Sequence, residues 1–443
     1  MADSKPDNTA SEDKLDFKKI LPIFVIVLID LLGFTIIIPL MPLYATSFGA
    51  DPWVIGLLGA AYPLMQFIGA PFLGRLSDRY GRKPILLISQ LGTLIGFILL
   101  GFANALPLLF LSRIIDGLSG ANISTAQAVI TDSTNERTRT QGLGLTGAAF
   151  GVGFILGPII AFISLAISHD NYHVPAFVAA LFSAISISLT WFWLEETHGP
   201  EKRGTDQPKT VFSFKAMVHA LGHPQVGLLL ILLFAQQIAF GGFEQLLSLF
   251  TLNRLGLNAS GNAVIFVFVG IIVVVVQGGL VGQWSRQWGD RKLIYLGLAA
   301  LAIGMALIAL TPTQPPPWYS RAAVTSELSA NSTGAVNQIA VQHNIPIALP
   351  DDSNLGWLGL IVLLIAMIPA SIGGGILQPA LNSLITKRVD KSEIGGTLGL
   401  SASFLSAANA LAPLIGGALF QAGGASLPFW VWSAVLAALL IAA

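Results

Sequence analysis

Several ionisable residues lie inside long apolar stretches of this 443-residue sequence, and Asp30 is the first of them. If the stretch is a membrane helix, Asp30 lies about ten residues, or about 15 Å, from its end. A carboxylate at that depth is costly unless it is protonated or paired. Asp30 is therefore a candidate carrier of a proton or partner of a cation. A structural carboxylate satisfied by neighbouring helices is the alternative.

Arg113 and Asp116 are two further ionisable residues within one apolar stretch. Their i, i+3 spacing puts both side chains on one helical face, where they can form an ion pair. Protonation of a nearby acid would release the guanidinium to rearrange, which is the chemistry of a proton-coupling element. A static pair that fixes one helix is the alternative.

Further polar side chains are scattered through the apolar stretches. Those expected to line a substrate cavity are Gln127, Gln236, Glu244, Gln378 and Asn382. Hydrogen bonds between neighbouring helices are the commoner use of such groups, which leaves the two interpretations open.

Sequence patterns typical of enzymes are missing from the chain. It has no cysteine, no His/Cys spacing typical of a metal site, no G-x-S-x-G and no phosphate-binding glycine loop. We therefore expect no catalytic residues, no bound metal and no cofactor. The net charge of zero gives no indication of a nucleic-acid partner.

The elements that must position these residues follow from composition. The chain is 54% hydrophobic and 10% charged, with a mean hydropathy of +0.74. About 20 apolar residues cross a bilayer as a helix. The sequence therefore predicts an all-α membrane protein with twelve transmembrane helices, at approximately 20–46, 53–74, 84–104, 106–131, 141–166, 174–195, 223–251, 261–282, 293–311, 355–385, 395–421 and 426–443.

Lysine and arginine are concentrated on one side of these spans. With the N-terminus inside, 20 of the 23 Lys and Arg residues fall in the tail and loops of that side. Arg254 and Arg321 fall on the other side, and Arg113 lies within a span. Because cytoplasmic loops retain positive charge, both termini are predicted to be cytoplasmic, in a bacterial inner membrane by default.

An internal repeat divides the spans into two sets. Gly120–Pro158 matches Gly375–Pro413 without a gap, which indicates two pseudo-symmetric halves of six helices. The predicted organisation is a cytoplasmic tail 1–19, an N-terminal half 20–195, a cytoplasmic linker 196–222 and a C-terminal half 223–443. A loop insertion at 312–354 interrupts the second half; it is either a lid over the outer vestibule or a solvated elaboration.

The run from Gly74 to Pro84 is a strongly charged turn between two spans. Four cations and one carboxylate cannot lie in hydrocarbon, so the run must be a tight turn at a membrane face. It is a candidate conformational latch, whose members are Gly74, Asp78, Arg79, Gly81 and Arg82. A second glycine-rich motif, with Gly153, Gly157 and Pro158, gives span five a face on which another helix can pack closely.

With these motifs the chain resembles the major facilitator superfamily, and within it the drug:proton antiporters that include the tetracycline exporters. The loop Gly74–Pro84, the stretch Arg113–Gly120 and the stretch Gly147–Pro158 are similar to three signatures of that superfamily. The pattern Asp30-x-x-Gly33, followed by Pro39 and Pro42, resembles the first helix of the tetracycline exporters.

The resemblance implies alternating access of two six-helix halves around a central site. It implies that Asp30 is a proton or substrate site, Arg113 a coupling residue, Asp78 part of a cytoplasmic latch and Gly157-Pro158 a hinge. Tetracycline exporters carry an acid in helix three, a histidine in helix eight and an acid in helix nine. This chain aligns Gly96, Val273 and Leu301 there, so the resemblance does not extend to tetracycline itself.

The leading hypothesis is proton-coupled efflux of a lipophilic or amphipathic small molecule by a monomeric protein in the lipid bilayer. Its partners would be the substrate and protons. Uptake or uniport of a small metabolite is the alternative, and a non-transporting receptor or scaffold is a third.

Overall fold

The computed structural model describes residues 17–120, 122–134, 139–199, 201, 219, 221–222, 226–331, 347–389 and 394–442. The regular elements within these ranges are all helical. Most of the expected tail, 1–16, and most of the expected linker, 202–218, lie outside the described residues.

Sixteen α-helices make up the described part of the chain. They are α1 Phe17–Ile37, α2 Met41–Ser47, α3 Pro52–Tyr80, α4 Arg82–Gly101, α5 Leu106–Ser119, α6 Asn122–Asp132, α7 Arg139–Ile167, α8 His173–Phe192, α9 Gly227–Leu255, α10 Ala259–Val275, α11 Val281–Trp288, α12 Asp290–Ala309, α13 Arg321–Ala330, α14 Leu358–Thr386, α15 Ile394–Gly423 and α16 Leu427–Ala442.

Eleven helical segments of the described residues are long and apolar enough to cross a membrane, and α16 is a shorter apolar helix. Two of the eleven join consecutive elements: α5 with α6, and α10 with α11. The prediction of an all-α, multi-pass membrane bundle is confirmed.

Prolines and glycines set the main interruptions. The first predicted span, 20–46, ends as a helix at Ile37, because Pro39 and Pro42 lack the N–H that a continuing helix would need. Pro42 then occupies the first turn of α2, where a missing N–H costs nothing. A single π-helical turn, Val276–Leu280, joins α10 to α11.

The two ends of the bundle differ in charge. We call the basic face the end with the turns at Gly81 and Gly289, which connect α3 to α4 and α11 to α12. Both glycines have positive φ, +108° and +80°, which favours a residue without a Cβ. The opposite face is the end that carries α2 and α13.

At the opposite face the helices α1–α8, the first helix group, pack closely against α9–α16, the second helix group. A Cβ added to Gly56 of α3 would collide with the Pro413 carbonyl and approach the backbone of Gly417 on α15. Deeper in the bundle, Gly270 of α10 lies against the backbone of Phe154 on α7. Small residues at these positions let the backbones touch.

Glycines towards the basic face have a different environment. Open space surrounds the Cβ position of Gly74 on α3, Gly147 on α7, and Gly278 and Gly279 in the π turn, with no described atom of another element within 4 Å. The close backbone contact at Gly56 therefore has no counterpart at these four glycines.

Candidate functional site

A cavity of about 420 Å³ lies between the two helix groups. Its ionisable lining comes from both groups: Asp30, Arg113 and Asp116 from the first, and Glu244 from the second. Amides and aromatic rings complete the wall, among them Gln236, Gln237, Gln378, Asn409, Phe34, Tyr62, Phe97, Phe150, Phe154 and Phe240. A lining that is mostly apolar with a few polar groups is typical of a small-molecule site.

Asp30 lies on α1 and receives a hydrogen bond from Gln90 on α4. Gln90 Nε2 donates to its Oδ2 at 3.2 Å, and the same nitrogen donates to Ser186 Oγ at 2.8 Å. The other oxygen, Oδ1, is buried without a partner. A carboxylate held by a neutral amide can gain and lose a proton without breaking an ion pair.

Arg113 and Asp116 form an ion pair on α5, with 3.2 Å between Nη1 and Oδ2. Both side chains are buried. The guanidinium also lies over the ring of Phe97, 5.6 Å from its centroid, and Nη2 has no hydrogen-bond partner among the described residues. Because Nη2 has no partner, this guanidinium can donate a hydrogen bond to a second anionic group.

Glu244 lies on α9 and lines the cavity from the side opposite Asp30. No hydrogen bond or ion pair joins its carboxylate to the part of the chain that the structure describes. Gln236, two turns earlier on α9, and Gln378 on α14 share the lining. Gln237 donates to Asn409 Oδ1 at 2.7 Å, which links α9 to α15.

Gln127 and Asn382 were expected in the cavity, but neither belongs to its lining. Gln127 is an exposed residue of α6. The side-chain oxygen Oδ1 of Asn382 on α14 is buried without a hydrogen-bond partner among the described residues.

The candidate latch residues cluster at the basic face within the first helix group. Arg82 Nη1 donates to Asp78 Oδ1 at 2.5 Å and to Ser77 Oγ at 2.7 Å. Arg82 Nε donates to Asp132 Oδ2 at 3.0 Å, which joins α4 to α6. Arg79 lies over the ring of Tyr80 instead. The cluster therefore stiffens the first group in this conformation.

Two members of this cluster were not anticipated from the sequence. One is Asp132, and the other is Glu196, which accepts the backbone N–H groups of Arg82 and Lys83 at 2.8 and 3.2 Å. Asp132 is the last residue of α6 and Glu196 follows the end of α8, positions where a lone acid looks like an ordinary solvated residue.

The second helix group has a matching cluster around Asp290. Lys387 Nζ donates to Asp290 Oδ2 at 2.6 Å, and Ser383 Oγ donates to the same oxygen at 2.7 Å. These contacts join α12 to α14. The sequence did not predict that Asp290 and Lys387 form an ion pair, although Asp290 follows Gly289 as Arg82 follows Gly81.

Gly153, Gly157 and Pro158 lie on the face of α7 that packs against α1. Thr35 Oγ1 donates to the Gly153 carbonyl at 2.9 Å, and a Cβ on Gly157 would collide with Thr35. The helix continues through Pro158 to Ile167. The motif thus holds α1 and α7 together close to the cavity.

The opposite face is joined by α13, which belongs to the expected insertion 312–354. Glu327 accepts hydrogen bonds from Tyr172 Oη at 2.8 Å and from Asn258 Nδ2 at 2.9 Å. Asn331 Oδ1 accepts from the Tyr172 N–H at 2.8 Å, and its Nδ2 donates to the Asp170 carbonyl at 2.9 Å. These bonds connect the turn between α7 and α8 with the second helix group.

A second cavity, of about 550 Å³, lies at the opposite face between α10, α13 and α14. Its lining is mostly apolar, with Phe162, Phe268 and Trp318, and Glu327 is its acidic member. Neither Asp30 nor Arg113 belongs to its lining, so the central cavity is the stronger candidate for coupled chemistry. The described residues contain no group of three or more His, Cys, Asp or Glu side chains arranged for a metal ion.

Comparison with known proteins assigns this architecture. A family model described as the Major Facilitator Superfamily matches residues 23–350. The class B tetracycline resistance protein of Escherichia coli is 30% identical over 409 residues, which cover 92% of this chain and 88% of that protein.

Two solved structures show the same fold. The human organic anion transporter MFSD10 superposes with a TM-score of 0.64 at 22% identity, over 96% of this chain and 98% of that one. The nucleoside transporter NupG gives 0.70 at 12% identity, with the same coverage.

Proposed function

Because the chain belongs to the Major Facilitator Superfamily, we propose that it exports a lipophilic or amphipathic small molecule by proton-coupled alternating access. The observation that carries the proposal is the central cavity between the two helix groups, with an acid in its wall that lacks a cationic partner.

The basic face is the cytoplasmic face in this proposal. Arg82 and Lys387 lie there, at the ends of helices whose loops contain most of the lysine and arginine of the chain. The structure then corresponds to the inward-facing conformer, which receives substrate from the cytoplasm or the inner leaflet.

Export requires the two helix groups to rock about the cavity. The opposite face must open, which breaks the contacts of Glu327 and Asn331 with the α7–α8 turn. The basic face must close, which brings Asp78 and Arg82 towards α9–α16. Each half keeps its own ion-pair cluster throughout, so the groups move as bodies.

Asp30 is the proton carrier in this scheme. In the outward-facing conformer it takes a proton from outside, and in the inward-facing conformer it releases that proton as substrate enters. The ion pair of Arg113 and Asp116 shares the cavity and responds to the charge on Asp30. One proton charge moving through 100 mV supplies about 2.3 kcal/mol, enough for a roughly fiftyfold substrate gradient.

Proton movement in energised inverted vesicles tests the proposal. A pH-sensitive dye is followed while lipophilic cations, neutral drugs and anions are added in turn, with vesicles that lack the protein as the control. A substrate-triggered proton signal above the control establishes antiport and identifies the substrate class. Substrate flux without any proton signal would replace antiport by uniport or uptake.

A further inference from the structure

The acids and bases of the central cavity do not balance. Arg113 and Asp116 neutralise each other at 3.2 Å, which leaves Asp30 and Glu244 without a cationic partner among the described residues. Tyr62 is the other ionisable residue of the lining, and it is neutral at ordinary pH. The cavity is thus more acidic than basic, by one acid from each helix group.

The two remaining acids differ in how the protein holds them. Gln90 donates a hydrogen bond to Asp30, whereas no described residue donates one to Glu244. A carboxylate that the protein leaves without a partner in low dielectric must find one in a proton or in a cationic ligand. The proposed function already gives the proton to Asp30.

The wall around Glu244 suits a lipophilic cation. Phe240 lies one helical turn before Glu244 on α9, and both line the cavity. The ring of Phe240 is seated against Gly374 of α14, where a Cβ would collide with it. Aromatic rings attract a cation through their negative faces, and six of them line this cavity of about 420 Å³.

From the unpaired carboxylate and the rings around it, we infer that Glu244 is the ligand for a cationic group on the substrate, and that the substrate class is lipophilic monovalent cations. This inference rests on the proposed function. An anionic substrate would meet Asp30 and Glu244 as like charges, and a neutral one would leave Glu244 unpaired.

The test compares two probes of the same shape and opposite charge, tetraphenylphosphonium and tetraphenylborate. Their equilibrium binding to purified full-length protein is measured for the wild type, Glu244→Gln and Glu244→Asp. Glu195→Gln removes an acid of the same type from an exposed site outside the cavity, and it is the matched control.

We expect the wild type and Glu195→Gln to bind tetraphenylphosphonium equally and tetraphenylborate weakly. Glu244→Gln should weaken tetraphenylphosphonium binding at least about tenfold, and Glu244→Asp should recover part of that loss. Size-exclusion profiles identify any variant that has lost its fold, and the partial recovery in Glu244→Asp separates a charge effect from a structural one.

Equal binding of tetraphenylphosphonium by the wild type and folded Glu244→Gln would overturn the inference. So would a wild type that binds tetraphenylborate as well as tetraphenylphosphonium, or one that binds neither while a neutral drug still drives proton movement. In that last case the proposed function stands. If no compound gave a proton signal with the wild type, the proposed function would be overturned as well.

A different set of contacts carries a second inference, at the opposite face. Five hydrogen bonds cross there between the two helix groups. Four of them involve the α7–α8 turn: Tyr172 Oη to Glu327, the Tyr172 N–H to Asn331, Asn331 to the Asp170 carbonyl, and Ser260 to Asp170 Oδ1. The fifth runs from Ser248 on α9 to the Pro39 carbonyl beside α2. Three of the five involve α13 or the residue that follows it.

The geometry points to α13 as a clasp that holds the opposite face closed. Glu327 is held from both sides, by Tyr172 of the first helix group and by Asn258, the N-cap of α10. Asn331 satisfies two backbone groups of the α7–α8 turn. Opening this face must break these bonds together.

Cysteine labelling tests the clasp, because the chain has no cysteine of its own. Met41→Cys places a thiol in the cavity lining at the start of α2. A membrane-impermeant thiol reagent is added from the opposite face, and the labelling rate is compared with and without Glu327→Ala. Ser326→Ala, an exposed neighbour on α13, is the matched control.

We expect Glu327→Ala to raise the labelling rate about fivefold, the change for loss of a typical net hydrogen-bond contribution. Ser326→Ala should leave the rate unchanged. Tyr172→Phe removes one donor without leaving a gap and should raise the rate in the same direction. Equal rates in the parent, Tyr172→Phe and Glu327→Ala would overturn the clasp.

Discussion

Asp132 and Lys387 occupy equivalent positions in the two halves of the chain and carry opposite charges. The constant offset that relates Gly120 to Gly375 also relates Asp132 to Lys387. Each makes an ion pair near the basic face, Asp132 with Arg82 at 3.0 Å and Lys387 with Asp290 at 2.6 Å. Each half therefore has an ion pair at the equivalent place, but the acidic and basic residues are exchanged between the two halves.

This reversal predicts that the second pair tolerates an exchange of its charges. Lys387→Asp alone puts two carboxylates together, one of them on the nearly buried Asp290, and should lower stability. Asp290→Lys combined with Lys387→Asp should recover most of the loss, with a coupling energy of about 1 kcal/mol or more in a double-mutant cycle. Thermal unfolding of the purified variants measures it; additive effects of the two changes would show that the pair contributes nothing.

Asp30→Asn should abolish proton-coupled flux without unfolding the protein. The amide keeps a group that Gln90 can contact but cannot carry a proton between the two faces. Asp30→Glu keeps the carboxylate and serves as the control, with some coupling expected to remain. The measurement is the substrate-triggered proton signal in vesicles; a normal signal from folded Asp30→Asn would remove Asp30 from the coupling mechanism.

Asp78→Asn should leave substrate binding intact and slow turnover roughly tenfold, which corresponds to about 1.4 kcal/mol. Arg82 retains Asp132 and Ser77 in the inward-facing structure, so the resting conformer loses little. Closure of the basic face would bring residue 78 towards α9–α16, and the variant lacks the negative charge that Asp78 contributes there. Binding affinity and transport rate are measured on the same preparation, and unchanged turnover would contradict a latch role for Asp78.

The sequence predicted the helical spans and most of the cavity because both depend on local composition. Asp30, Glu244 and Gln378 are polar residues within apolar runs, and such residues avoid lipid. Ion pairs such as Arg82–Asp132 depend on which helix ends meet, so the individual residues give no sign of them. The sequence left the insertion 312–354 as either a lid or a solvated elaboration, because its contacts with Tyr172 and Asn258 depend on which segments meet in the folded chain.

Closure of the opposite face should depend on pH through Glu327. Burial, with Asp170 nearby, raises the pKa of this carboxyl from 4.5 to about 7 in the closed structure. In an open, hydrated state we expect the pKa to return to its ordinary value. Protonation therefore favours the closed form as pH falls from about 7 towards about 4.5, and this advantage is lost as pH rises through about 7.

The labelling rate of Met41→Cys should accordingly rise between pH 5 and pH 8, after correction for the reactivity of a free thiol. The groups that face Glu327 are Tyr172 and Asp170 from the α7–α8 turn and Asn258 from α10. The side chain introduced by Glu327→Gln cannot ionise, so the corrected labelling rate should not change with pH over this range. A pH dependence that persists in Glu327→Gln would assign it to another group.

The close approach of α3 and α15 should make Gly56 sensitive to a single methyl group. A Cβ there meets the Pro413 carbonyl and the backbone of Gly417, neither of which can move aside like a flexible side chain. Gly56→Ala should therefore cost about 1–3 kcal/mol of the closed form and increase labelling of Met41→Cys from the opposite face. Gly278→Ala, with open space around its Cβ position, should change neither labelling nor thermal stability. Equal behaviour of the two variants would mean that the helices separate at the opposite face more easily than their packing indicates.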